Sequence, residues 1–121
     1  MENYDSIFAP KEAAQNKTFS PVDKQAWAEK KQAERQQVYD FIVERTAERV
    51  PIVAGMGSNN TADLVAQLRS FDLSKCVAIL SVVPYYNKPS QEGIYRHYIA
   101  VTESSPVPVI LYNVPGRTGV N

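Results

Sequence analysis

Residues 76–93, CVAILSVVPYYNKPSQEG, decide the fold class of this chain. The first eight positions are almost continuously apolar, as in a strand that is covered on both faces of a sheet. A loop that contains two prolines follows, and Ser90 then offers a side-chain oxygen to cap a helix that begins at Gln91. A strand that leads through a loop into a helix is the repeating unit of α/β folds, so we predict parallel strands with covering helices.

The same order recurs on both sides of this stretch. Short apolar runs predict two more strands, over residues 50–55 and 107–111, and the spacing of apolar residues predicts helices over 61–71 and 91–103. A chain that alternates strand and helix in this way joins parallel strands by right-handed crossovers. We therefore predict an α/β fold with a three-stranded parallel sheet.

The segment before the first strand has a different character. Residues 1–19 are polar without a sustained period and predict a loosely ordered arm. Ser20 followed by Pro21 predicts the start of a helix that runs to about Glu48, with the serine as its N-cap. The first half of this helix is polar, whereas the second half has an apolar stripe that predicts the face packed on the sheet, namely Val38, Phe41 and Ile42.

Composition excludes several classes of function. Thirteen basic residues balance thirteen acidic ones without a basic stripe, which argues against a nucleic-acid partner. No apolar run reaches the roughly 18–20 residues of a membrane span, and the first residues lack the basic and apolar zones of a signal peptide. The single cysteine, Cys76, cannot form an internal disulfide and suits a reducing compartment. We expect a soluble, cytoplasmic protein that does not associate with membranes.

Neither a metal site nor a nucleotide site is indicated. The one histidine, His97, lacks a carboxylate or cysteine partner at ligand spacing, so we expect a surface histidine and no metal or cofactor. The turn at 55–60 contains two glycines, but the dinucleotide-binding pattern fails at Thr61, and a phosphate-binding module would rest on this glycine pair alone. Asn59 or Asn60 caps the helix that follows.

Tyr112 stands where the last strand ends, which is where α/β folds build their sites. A phenol held there in a polar network can pass protons to and from a reacting group; alternatively, it packs its ring and leaves its hydroxyl in water. The residues that follow, Asn-Val-Pro-Gly-Arg-Thr-Gly, favour the first interpretation. They form a constrained turn on which Arg117 can grip a carboxylate with two parallel hydrogen bonds.

Tyr85 and Tyr86 form a second candidate group. They are adjacent in an extended segment, so their rings point to opposite sides and cannot do one job. The alternative to a chemical role is that both rings fill an interface between subunits, where tyrosine is favoured. The residues by themselves leave both interpretations open.

Two blocks, Pro-Tyr-Tyr-Asn-Lys-Pro-Ser-Gln-Glu-Gly at 84–93 and Tyr-Asn-Val-Pro-Gly-Arg-Thr-Gly-Val at 112–120, closely resemble the dihydrodipicolinate synthase family. Members of this family are pyruvate-dependent class I aldolases of lysine biosynthesis, which condense pyruvate with aspartate semialdehyde. The resemblance covers about residues 37–121 and implies part of a TIM (β/α)8 barrel, its third to fifth strands. Residues 1–36 are then an unmatched arm and polar helix.

The resemblance implies a role for each candidate residue. Tyr112 and Tyr86 would belong to the proton relay, with Tyr86 reaching across a dimer interface. Arg117 would bind the carboxylate of the aldehyde substrate. The pocket in which lysine binds as a feedback inhibitor would be lined by Tyr85, Asn59 and Asp63.

Two features of the family are absent from these 121 residues. The Gly-Thr-Thr-Gly-Glu motif, whose threonines complete the relay and bind the pyruvate carboxylate, has no counterpart, and the Schiff-base lysine would come after Asn121. A Schiff-base lysine must be desolvated to be neutral near about pH 7, whereas the lysines here lie in polar segments. We therefore expect no lyase activity from this chain alone.

Two functions remain open at this stage. The first is a fragment, remnant or engineered relative of the aldolase, whose active site other chains would complete. The second is a non-catalytic folding or interaction module that keeps the family motifs by descent or design. In either case we expect a homo-oligomer, because three strands buried on both faces have only three helices to cover them.

Overall fold

Three strands and four helices alternate along residues 21–121, which are the residues that this computed structural model describes. In chain order they are α1 (Pro21–Thr46), β1 (Val53–Gly55), α2 (Thr61–Ser70), β2 (Ala78–Val82), α3 (Gln91–Ser104), β3 (Val109–Tyr112) and α4 (Pro115–Thr118). The predicted α/β order is confirmed, as is the cap of α3, where the Ser90 hydroxyl accepts the Gly93 N–H at 3.1 Å. The expected arm over 1–19 and the Ser20 cap lie outside the described residues.

The sheet has the order β1-β2-β3, and both strand pairs are parallel, as predicted. The register places Gly55 beside Leu80 and Val82 beside Tyr112. Because parallel strands all point the same way, the loops that follow them meet at one edge of the sheet.

The chain divides into two compact units, Met1–Ala33 and Glu34–Asn121. The described part of the first unit belongs to α1, where Lys31 Nζ lies 5.5 Å from the ring centroid of the exposed Trp27. This is a cation–π contact on a helix surface. The second unit contains the sheet and all of the candidate site residues.

The core of the second unit lies between one face of the sheet and the helices. Ile79 of β2, Leu64 of α2 and Val101 of α3 are each 0% exposed there. Tyr39 of α1 packs its ring edge-on against Phe71, with 5.5 Å between the centroids, and burial raises the pKa of Tyr39 to about 12. Burying an apolar side chain such as that of Leu64, Ile79 or Val101 stabilises the fold by about 1.5–3 kcal/mol.

The other face of the sheet, called the open face below, is not covered by any other part of the second unit. Side chains alternate between the faces along each strand, so the register groups Val53, Leu80 and Ile110 on this face. Their exposed fractions are 44%, 39% and 45%. The expectation that residues 76–83 are covered on both faces is therefore wrong within this unit: helices cover one side, and residues 34–121 supply no layer for the other.

The apolar stripe predicted for α1 is also wrong. Val38, Phe41 and Ile42 are 59%, 57% and 46% exposed. The face that packs on the core carries Tyr39 and the half-buried Val43 instead. Polar side chains hold this face in place: Gln36 accepts the Asp72 N–H at 2.9 Å, and Arg35 donates to Gln67 at 2.8 Å. A search for apolar period alone misses a face that mixes aromatic and polar residues.

His97 lies in the core. The prediction of a surface histidine is therefore wrong. His97 is 2% exposed, and its Nδ1 lies 2.7 Å from Oγ1 of Thr61, the first residue of α2. Val101 follows it by one helical turn on the same buried face. Burial lowers the pKa of His97 from its usual 6.5, because desolvation disfavours the charged imidazolium. The neutral ring is thus the form that the fold selects.

Candidate active site

The loops at the carboxyl edge of the sheet carry the predicted site residues. The structure places one candidate group after each strand, so that parts far apart in the sequence share one end of the sheet. In chain order, the predicted residues at this end are Asn59, Asp63, Tyr85, Tyr86, Tyr112 and Arg117.

The loop after β1 is held by its own polar side chains. The Ser58 hydroxyl accepts the Asn60 N–H at 3.0 Å, and the Asn60 side chain accepts the Asp63 N–H at 3.2 Å. Asn60 is therefore the N-cap of α2, and of the two predicted caps it is the one that the structure uses. Asn59 is left with its backbone carbonyl facing the next loop, where it accepts a hydrogen bond from Asn87 at 2.9 Å.

Gly57 is the point where this loop touches β2. A Cβ added at position 57 would lie 2.8 Å from Cγ1 of Val82, the last residue of β2. That distance is below any ordinary contact, and valine has no flexible end that can move aside. The loop after β1 can approach the strand this closely only because position 57 lacks a side chain.

The loop after β2 turns sharply at Tyr86. The Tyr86 φ is 66°, in the left-handed region, and the Asn87 N–H donates to the Tyr85 carbonyl at 2.8 Å across it. The two tyrosine rings are in edge-on contact, at 84° with 5.5 Å between centroids. The prediction that they point to opposite sides is therefore wrong, because the chain turns at Tyr86 and is not extended there. Tyr86 is 85% exposed, whereas Tyr85 is half-buried.

The end of β3 presents Tyr112 and Arg117 together. Tyr112 pairs with Val82 in the sheet, lies on the open face and is 45% exposed. Arg117 is exposed on α4, whose end is capped by Gly119 at φ 75° with its N–H on the Pro115 carbonyl at 2.9 Å. A phenol that donates and accepts protons and a guanidinium with a fork of donors therefore stand at the same end of one strand.

Lys88 connects the second loop with the third. A Cβ added at Gly119 would lie 3.6 Å from Lys88 Cε and 3.8 Å from Lys88 Cγ, so the lysine stem lies against the cap of α4. The loop that carries Tyr86 thus touches the turn that carries Arg117. On its other side it touches the Asn59 loop through Asn87.

The hydrogen bonds by which Asn87 and Asn113 hold these loops were not predicted from the sequence. Asn87 reaches a carbonyl that precedes it by 28 residues. Asn113 donates to the Asn121 side chain at 2.8 Å, and Gln91 donates to the Asn121 carbonyl at 2.6 Å. A signal for this role was present in the sequence, since each of the two family motifs has an asparagine directly after a tyrosine, in the segment that follows a strand. Asparagine side chains in such segments commonly form hydrogen bonds with backbone groups.

Other kinds of site are not found in the described residues. Over residues 21–121 there is no group of three or more His, Cys, Asp or Glu side chains arranged to hold a metal ion. Across the same residues, none of the helices combines the length and the apolar character needed to cross a membrane. Cys76 is a buried free thiol that donates to the Leu73 carbonyl at 3.2 Å, which matches its predicted place in the core.

Comparison with known proteins decides the family. The family model described as "Dihydrodipicolinate synthetase family" matches residues 28–121. This chain belongs to that family. A 4-hydroxy-tetrahydrodipicolinate synthase from Flavobacterium psychrophilum is 56% identical over 90 residues, which are 74% of this chain and 31% of that protein. The enzyme of the same name from Parabacteroides distasonis is 52% identical over 88 residues, or 73% of this chain and 30% of that protein.

Solved structures of the family agree with the fold. The dihydrodipicolinate synthase from Acinetobacter baumannii, in complex with pyruvate, matches with a TM-score of 0.68 and 46% identity over 74% of this chain and 31% of that one. An enzyme of the same name from Bacillus anthracis matches with a TM-score of 0.69 and 46% identity over the same shares. The sheet described above is thus a parallel α/β part of such a TIM barrel. The chain spans less than a third of the length of these relatives.

Proposed function

We propose that residues 37–121 supply one wall of a 4-hydroxy-tetrahydrodipicolinate synthase active site, in which pyruvate condenses with aspartate semialdehyde. The observation that carries this proposal is the meeting of the Tyr86 loop with the Arg117 turn at one end of the sheet, through Lys88 and Gly119. We place the protein in the cytoplasm as a homo-oligomer.

Arg117 would bind the carboxylate of the aldehyde substrate. Its guanidinium is exposed at the carboxyl edge, where its planar fork of donors can take both oxygens of a carboxylate. Gly119, in the left-handed conformation, ends α4 two residues after Arg117 and so fixes the backbone from which the Arg117 side chain extends. Lysine at position 117 would keep the charge but lose the paired hydrogen bonds.

Tyr112 and Tyr86 would carry protons during the condensation. When pyruvate forms a Schiff base with an enzyme amine, the hydroxyl of the carbinolamine leaves as water and needs a proton, which a phenol can supply and recover. Tyr112 lies on the open face, which supports a role for it in lining a barrel interior. Tyr86, 85% exposed, is available to a second subunit, in keeping with a relay shared across an interface.

The amine itself would come from another segment. Lys75 and Lys88 are exposed, as are Lys24, Lys30 and Lys31 in α1. A Schiff-base lysine needs burial to be neutral at the working pH. None of these described lysines meets that condition, which supports the expectation that this chain alone does not react with pyruvate.

Tyr85, Asn59 and Asp63 would line a pocket for lysine as a feedback inhibitor. The bond of Asn87 to Asn59 brings the loop after β1 and the loop after β2 together, which supports a shared pocket. The Asn60 side chain, which accepts the Asp63 N–H, fixes Asp63 at the start of α2 beside that loop. The exposed Asp63 carboxylate would face the ammonium group of the amino acid.

A chimeric enzyme tests this proposal. Residues 50–121 of this chain would replace the matching segment of the Flavobacterium psychrophilum enzyme, and the condensation of pyruvate with aspartate semialdehyde would be followed. We expect a folded, active chimera that loses activity by about 10²-fold or more when Tyr112→Phe is introduced and whose KM for the aldehyde rises with Arg117→Lys. Tyr95→Phe, on the exposed side of α3, is the matched control. A folded chimera that is inactive, or indifferent to both site substitutions, would contradict the proposal.

The rival function is an interaction module without catalysis. The exposure of Val53, Leu80 and Ile110 on the open face favours this function, because exposed apolar patches mark protein–protein interaction sites. It predicts a chimera that folds but does not catalyse, together with self-association of the isolated chain.

A further inference from the structure

Asn87 occupies the junction between the loop after β1 and the loop after β2. Its backbone N–H donates to the Tyr85 carbonyl at 2.8 Å, and its side-chain Nδ2 donates to the Asn59 carbonyl at 2.9 Å. We propose that Asn87 is a positioning residue: it holds the Tyr86 backbone in its left-handed conformation by tying that turn to the loop of Asn59.

The turn at Tyr86 needs such a support. A hydrogen bond from residue i+2 to residue i around a positive φ forms a three-residue turn that is rare and strained. Tyr86 adopts it at φ 66° although its bulky side chain disfavours the left-handed region. A strained conformation of this kind persists only where the surroundings fix it from several directions.

The Tyr86 side chain does not provide that fixation. The residue is 85% exposed, and the ring contact in the described structure is with its neighbour Tyr85, which belongs to the same turn. The support must therefore come from the residues around Tyr86. Lys88 lies against Gly119 on one side, and the Asn87 side chain links the turn by a hydrogen bond to the Asn59 loop on the other.

The anchor at the other end of the bond is firm. The Asn59 carbonyl lies between Ser58, whose hydroxyl accepts the Asn60 N–H, and Asn60, which caps α2 through Asp63. α2 is in turn packed into the core through Leu64, 0% exposed. A donor that reaches this carbonyl is tied to the body of the protein and not to a free loop.

This inference deepens the proposed function and rests on it for one step only. If Asn59 and Tyr85 line an inhibitor pocket and Tyr86 relays protons, then Asn87 connects the Asn59 side of that pocket with the Tyr86 turn. A ligand that moves the Asn59 carbonyl would act directly on the bond that stabilises the Tyr86 turn. The positioning of Tyr86 by Asn87 does not itself depend on any ligand.

The test uses the 121-residue chain and the variants Asn87→Ala and Asn87→Asp. Aspartate keeps the shape of asparagine but, when ionised, places an acceptor where the donor was. Three-bond NMR couplings across the Tyr86 φ angle, together with the amide shifts of Asn59 and Asn60, are compared with the unsubstituted chain. We expect both variants to move Tyr86 to negative φ and to shift the amides of the Asn59 loop. Asn113→Ala, which removes an amide donor at the end of the neighbouring strand, should change neither.

The unsubstituted chain offers a second measurement that needs no variant. Exchange of the Asn87 side-chain amide protons with solvent should be slower than that of a free asparagine amide, because Nδ2 is hydrogen-bonded. An unchanged Tyr86 φ in folded Asn87→Ala and Asn87→Asp, or exchange at the free rate, would overturn the positioning role. A titration with L-lysine separates the two proposals: if lysine shifts no resonance of Asn59, Asp63 or Tyr85, the inhibitor pocket fails, while the Tyr86 couplings still decide the role of Asn87.

Discussion

The Thr61 hydroxyl and Nδ1 of His97 lie 2.7 Å apart, and this contact joins the first residue of α2 to the middle of α3. In the simplest arrangement, the Thr61 hydroxyl donates to Nδ1 of a neutral His97 ring. The bond thus fixes the start of the helix that follows the Asn59 loop.

Acid should weaken the fold through His97. Its pKa is lowered from 6.5 by burial, so the folded state favours the neutral ring; this stability is present above 6.5 and is lost as the pH falls below it. We expect the free energy of unfolding, from urea titrations, to decline from about pH 7.5 to about pH 5. A His97→Gln variant should show a shallower decline over the same range. An equal slope in both proteins would exclude His97 as the cause.

Gly57→Ala should destabilise the fold by about 1–3 kcal/mol, because the new methyl group overlaps Val82 Cγ1 at 2.8 Å. Val82→Ala removes that atom, so the double variant should recover part of the loss. The quantity to measure is the interaction energy in a double-mutant cycle from chemical denaturation. Additive losses would show that the two residues do not meet.

The isolated 121-residue chain should form no adduct with pyruvate. The described lysines are exposed, whereas a Schiff-base lysine must be desolvated. Incubation with pyruvate and borohydride, followed by the mass of the intact protein, should show the unmodified mass. A stoichiometric increase localised to one lysine would reveal a Schiff-base residue and contradict this expectation.

The isolated chain should also self-associate through the open face. Ile110→Lys places a charge on that face and should shift the chain towards the 13.5 kDa monomer in sedimentation experiments. Tyr95→Lys adds the same charge on α3, where the residue is 63% exposed, and should leave the association unchanged. A monomer in the unsubstituted chain at micromolar concentration would contradict the expectation.

Much of the fold follows from local sequence. The β-branched run that becomes β2, the Ser90 cap and the glycine-bearing turns each carry their own signal, because strand burial and helix capping depend on neighbouring residues. The same holds for the place of Tyr112 and Arg117, since a strand end can be recognised without its partners.

Features that depend on distant partners could not be predicted. His97 looks like a surface residue until Thr61, 36 positions earlier, comes to lie beside it. The buried face of α1 is set by Tyr39 and Gln36, whose partners Phe71 and Asp72 follow much later in the chain. The contact of Asn87 could not be predicted, because its acceptor is the backbone carbonyl of Asn59, and every residue has such a carbonyl.

The pairing of Val82 with Tyr112 limits how this segment can change in length. Side chains alternate along a strand, so the loss or gain of one residue within β3 would turn Tyr112 from the open face to the helix side. A change of two residues would restore its direction but move it along the strand, away from Val82. Substitutions along β3 are therefore compatible with this edge of the sheet, whereas insertions and deletions within it are not, and length variation among functional relatives should fall in the loops before Val109 or after Val120.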